Sequence, residues 1–155
     1  MRARISQSQN LARQLNEQID EHVARVGFPP SVLLAMTDDS LRATVGKRLR
    51  DRGCDVLEVG DASTFHEVIL EGTHCDIFLL DELAGCSPLH GLAYARRHGV
   101  QVPTIAIVQL EDEHARTEAR RLDLLLCARA VVLGSLDRVL LTALRRVRYR
   151  TSRAA

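Results

Sequence analysis

From Ser31 onward, short apolar runs alternate with stretches whose apolar residues return every three or four positions. Runs of that kind, separated by helical patterns, predict parallel strands covered on both faces by helices. The strands are expected at Val32–Met36, Asp55–Val59, Ile77–Leu80, Thr104–Val108 and Ala130–Leu133. The third and fifth are unbroken apolar runs, as befits strands buried on both sides. Between them, helices are expected from Ser40 to Gly53 (Leu41, Val45 and Leu49 on one side), and from Thr64 to Gly72 (Phe65, Val68 and Ile69 buried). A third runs from Pro88 to Gly99 with Leu92 and Ala93 inward, a fourth begins near Asp112, and a fifth spans Leu136 to Val147. Ser40, Asp38 or Asp39 can cap the first of these. The fold class is therefore α/β, a doubly wound sheet of five parallel strands.

Residues 1–26 contain no Gly or Pro, and Leu11, Leu15, Ile19, Val23 and Val26 recur on one side of a helix. Gly27 and then Phe28-Pro29-Pro30 end it. Ala12, Leu15, Ile19, His22 and Val26 also fit alternating steps of three and four. That seam serves either a short coiled coil joining two copies or a helix packed on its own domain. The chain thus divides into an amino-terminal helix and linker (1–30), an α/β domain (31–148) and a basic tail (149–155).

Composition narrows the function classes. With 21 basic and 20 acidic residues in 155, the net charge of +1 gives the whole molecule no strong pull toward nucleic acid or anionic lipid. The Arg-rich end (Arg145, Arg146, Arg148, Arg150, Arg153) has little aromatic interleaving beyond Tyr149, so nucleic acid is not the expected partner. Cys54, Cys75, Cys86 and Cys127 form no C-x-x-C pair and suit reduced thiols in a cytoplasmic protein. Cys86 and His90 stand four apart without a second ligand pair, so no zinc site is expected. The amino terminus lacks a signal-peptide core, and no apolar run approaches the roughly 18 residues of a membrane span.

The candidate for chemistry is Asp81, delivered by Cys75–Leu80 to the carboxyl end of the third strand, where open α/β sheets gather their ligands. Together with Val32–Met36, Leu49–Asp61 and Val102–Ile107, that stretch resembles the receiver domain of bacterial two-component response regulators over about Ser31–Arg148. The resemblance implies a flavodoxin-like (βα)5 architecture with strand order 2-1-3-4-5. It also implies that Asp81 stands where a phosphoryl group is accepted from a histidine kinase.

Around Asp81 the family's other elements are missing. An acid pair ending the first strand helps to hold Mg2+; a count without gaps puts Met36 and Thr37 there. A shift of two residues would supply Asp38 and Asp39 instead, a set of Asp38, Asp39 and Asp81 for Mg2+, but would break the gapless fit of the next helix. Val108 replaces a Ser or Thr whose hydroxyl reports phosphorylation, and Gly134 replaces a Lys that pairs with the phosphoryl group. Gly85 stands where Pro is usual, and the loop before Gly91 is about two residues long in excess.

These departures imply a pseudo-receiver: a non-enzymatic signalling module without catalytic residue, metal or cofactor, acting by protein contacts. The resemblance places its partner face on the repeat's fourth helix, fifth strand and fifth helix, at Glu111–Arg121 and Leu136–Arg148. Two alternatives stand beside it, a receiver still phosphorylated at Asp81 and a small-molecule-binding domain or enzyme on the same scaffold. Against the last, the chain has no G-x-x-x-x-G-K or G-x-G-x-x-G loop, and its first turn, Thr37–Ser40, is acidic.

Overall fold

The computed structural model describes residues 2–84 and 86–149, with side chains from Gln7 onward. Gly85 and the tail's Arg150 and Arg153 lie outside the described residues. The strands are β1 (Ser31–Ala35), β2 (Asp55–Val59), β3 (Ile77–Leu80), β4 (Thr104–Val108) and β5 (Leu125–Ala128). The helices are α1 (Arg2–Val26), α2 (Asp39–Asp51), α3 (Ala62–Leu70), α4 (Pro88–Arg97), α5 (Glu113–Leu122) and α6 (Val132–Arg146). All strand pairs are parallel, in the order β2-β1-β3-β4-β5.

Strand side chains alternate between faces, so each strand feeds two cores. Val32, Leu34, Ile77, Leu79, Ile105 and Ile107 pack with α1, α2 and α6. Leu33, Ala35, Phe78, Leu80 and Ala106 pack with α3, α4 and α5. Four helices start where a side chain takes up a free amide: Asp38 accepts from the Leu41 N–H, Asp61 from Thr64, Ser87 from His90 and Asp112 from Ala115. On α4 the inward pair is Leu92 and Ala95, three apart, and the expected Ala93 faces solvent.

The amino-terminal helix packs on its own domain. Leu15 and Ile19 join the core that contains α2 and α6, and a side chain at Gly53 would meet Ile19 at 3.6 Å. His22 is also fully buried, whereas Val23 and Val26 are exposed. The seam read as heptads is therefore largely covered within one chain.

The fifth strand lies five residues before its expected place. Leu125–Ala128 pair with Ile105–Val108, while Ala130–Leu133 form the end of a 3-10 turn (Arg129–Val131) and the start of α6. The segment Leu124–Leu133 is apolar on both sides of Arg129, so local pattern suits either half. Strand pairing decides it: Asp123 ends α5 in the left-handed conformation (φ 55°), which turns the chain into β5 two residues later. Gly134 accordingly sits in the first turn of α6, with open space around its Cα, and does not end a strand.

Candidate functional site

The carboxyl ends of β1, β3, β4 and β5 bring the site together. The Asp81 N–H donates to the Ala35 carbonyl (2.8 Å), which continues the β1–β3 ladder one step beyond β3 and fixes the carboxylate at the sheet's edge. Asp81 is only 3% exposed. Its Oδ1 accepts from the Glu82 N–H at 2.7 Å and from Arg129 Nη2 at 2.6 Å. Because β4 lies between β3 and β5, this ion pair spans the end of β4. Asp81 Oδ2 and Arg129 Nε are buried and have no partner among the described residues.

Arg129 is the functional residue that the sequence reading missed. It is the first residue after β5, at the strand end where the sequence reading looked for a Lys. Gly134 is corrected to a solvent-facing helix position. The signal lay in Arg129 itself, the lone charge inside an apolar stretch. Its hydrogen bond to Asp81 raises the guanidinium's already high pKa; burial opposes this, and the charges of Asp81, Glu82 and Asp38 add to it.

The other predicted positions lie at the ends of β1 and β4. Met36 directly follows β1, but its side chain is fully buried in the core beneath α2 and α6. Its carbonyl accepts from Arg42 Nη1 (2.8 Å). Thr37 Oγ1 donates to the Glu82 carbonyl (3.1 Å), tying the loop after β1 to the loop after β3. Val108 ends β4 beside Ala128 of β5. The acids two residues on are engaged in α2: Asp38 is its N-cap, and Asp39, exposed, pairs with Arg42 Nη2 at 2.7 Å. Among the described residues no group of three His, Cys, Asp or Glu is placed to hold a metal ion.

Below the acid, Ala35, Phe65, Leu80, Leu83, Cys86 and Gly91 line a cavity of about 10 Å³, room for about one water. Of the thiols, Cys54 is pushed up to about 12 and Cys75 to about 11, burial being the main cause in both, which keeps them protonated and inert.

No protein-family model matches the sequence, and no curated protein matches it significantly. Solved structures do. The Francisella response regulator 1452 receiver domain superposes with a TM-score of 0.68 at 14% identity, covering 76% of this chain and 98% of that one. A DNA-binding response regulator of the LuxR family from Staphylococcus aureus gives 0.64 at 16%, covering 74% and 98%. A response regulator receiver domain protein from Clostridium thermocellum gives 0.65 at 12%, covering 76% and 95%. The fold is that of a receiver domain. On that receiver scaffold Asp81 ends the third strand and Arg129 follows the fifth, while α1 is an addition ahead of the first strand.

Proposed function

We propose that the chain is a pseudo-receiver, a signalling module that works through protein contacts without phosphorylation of Asp81. The observation that carries this reading is the state of the Asp81 carboxylate. It is buried and held by Arg129, and the residues after β1, where the resemblance implies an acid pair that recruits Mg2+, are Met36 and Thr37. Phosphoryl transfer to a carboxylate depends on cations that neutralise the moving oxygens. Arg129 supplies one such charge, so the pocket has lost the acid pair and the hydroxyl but has kept a cation. Without a metal that charge stabilises the resting carboxylate as readily as a phosphoryl group, and it gives no preference for the transition state.

The test is a titration of the protein with beryllofluoride and Mg2+, followed by amide chemical shifts around Asp81 and Arg129. No saturable change is expected. Saturable shifts at Asp81 would establish the other reading, a phosphorylatable receiver that recruits Asp38 or Asp39 to Mg2+.

For partner contact the reading favours the face of α5, β5 and α6. Glu111, Asp112, Glu113, Arg116 and Arg120 supply charge there, and Leu110 and Val131 are 69% and 53% exposed. Homodimerisation through residues 1–26 has less to use, since Leu15 and Ile19 are covered by the same chain. Light scattering on the full chain is expected to give the monomer mass. A dimer at high concentration would return α1 to the coiled-coil reading.

A further inference from the structure

At the opposite end of the sheet from Asp81, a second polar cluster joins α1 to the domain. His22 of α1 is fully buried. Its Nδ1 lies 2.9 Å from the Tyr149 hydroxyl, in the segment after α6, and the two rings are 5.3 Å apart. Its Nε2 lies 3.5 Å from Asp76 Oδ2, just ahead of β3, and makes no hydrogen bond. Asp76 is already engaged elsewhere. Oδ2 accepts from the Ser31 N–H (2.9 Å) and hydroxyl (3.0 Å) at the start of β1, and Oδ1 lies 3.0 Å from the exposed His74 Nε2.

This arrangement suits a neutral imidazole. In the neutral ring the Tyr149 hydroxyl can donate to Nδ1, with the ring hydrogen then on Nε2, turned toward Asp76. A second proton would convert Nδ1 from acceptor to donor and place a full charge in the contact. Every group facing the ring bears on that cost. Asp76 attracts the charge, and His74, once protonated, competes for the same carboxylate. Tyr149 is a phenol whose own ionisation is opposed by burial, and Arg25 lies 4.9 Å from its ring centre and 2.8 Å from Glu21. Cys54, ahead of β2, stays a neutral thiol.

The hold on α1 is also narrow. Of its 25 residues, those buried among the described side chains are Leu15, Ile19 and His22. One of the three is thus titratable.

We infer that His22 makes the docking of α1 a proton-operated clasp: closed at neutral pH, it loosens on acidification and frees α1 together with the segment at Tyr149. Burial is the largest influence on the docked ring and lowers its pKa from 6.5; Asp76 opposes this and His74 reinforces it. Well above pH 6.5 the ring is neutral whether docked or free, and the clasp has its full strength. Below that value the free helix takes up a proton that the docked helix resists, so docking weakens as pH falls. The inference rests on α1 and is independent of whether Asp81 is phosphorylated.

Amide hydrogen exchange on the full chain, corrected for the intrinsic pH dependence of exchange, tests it. Between pH 7.5 and 5.5, protection of residues 11–26 is expected to fall about threefold or more relative to β3. In His22→Gln, which is neutral throughout, that pH dependence is expected to vanish. Tyr149→Phe keeps the titrating ring, so the variant is expected to lower α1 protection at pH 7.5 and to retain a pH dependence. A wild-type helix equally protected at both pH values would overturn the clasp. So would an unchanged pH dependence in His22→Gln. If His22→Gln does not fold, the imidazole resonance of His22 in the wild type decides: titration at or above 6.5 overturns the inference, and titration below it supports it.

Discussion

Arg129→Ala is expected to destabilise the protein by about 2–3 kcal/mol, with Asp81→Asn costing roughly 1 kcal/mol and the double variant falling close to Asp81→Asn. The asymmetry follows from exposure. Asp81 is 3% exposed and the Arg129 side chain 34%, so loss of the Arg strands a carboxylate out of reach of water, whereas loss of the acid leaves a cation on a partly exposed side chain. The full cost of breaking a buried pair, about 3–5 kcal/mol, is reduced here because the Arg129 side chain is partly exposed already. Asn at position 81 keeps an acceptor for the Glu82 N–H, so the turn after β3 should survive. Urea unfolding of the four proteins measures the cycle. Equal costs for the two single changes would mean that the pair is a surface contact and does not lock the site.

Phe65→Ala is expected to cost about 3–5 kcal/mol, the largest effect of any change near the site. Phe65 is fully buried on α3, meets Phe78 of β3 edge to face at 6.3 Å between ring centres, and lies under α4 where Gly91 leaves room for the ring. It also lines the cavity next to Asp81, so its removal enlarges the space there. The urea midpoint should drop with an unchanged slope, because the surface exposed on unfolding is nearly the same. If the loss stays under about 1 kcal/mol, α3 and α4 close over the gap and the cavity is not a rigid feature.

Together these two expectations describe a site held from two sides. A receiver that responds to phosphorylation needs a pocket with two arrangements close in energy. In this chain Arg129 holds the Asp81 carboxylate, and the Met36 side chain is packed in the core. That is the physical content of the pseudo-receiver reading: the scaffold remains, and its acid is held in place.

Much of the α/β architecture is legible from local chemistry. Strands β1 to β4 are short apolar runs bounded by turns, and the helices between them begin at Asp or Ser caps and end near Gly. Asp81 was legible for the same reason, since a strand flanked by crossovers must release its next residue at the carboxyl edge. The end of the chain was not. Leu124–Leu133 offers two apolar halves, α6 begins at Val132 with no capping side chain at Val131, and the valines suggest extended chain. Nothing local says which half pairs with β4.

The sequence by itself therefore determined the alternating layers and the acid at the end of the third strand, because each depends on residues close together in the chain. Only the tertiary structure decided three other points: that Arg129 and not Gly134 faces Asp81, that the seam of α1 turns inward, and that His22, Asp76 and Tyr149 meet. Each of these joins residues far apart in the chain, set by sheet register and helix packing, and hydrophobic periodicity carries no record of either.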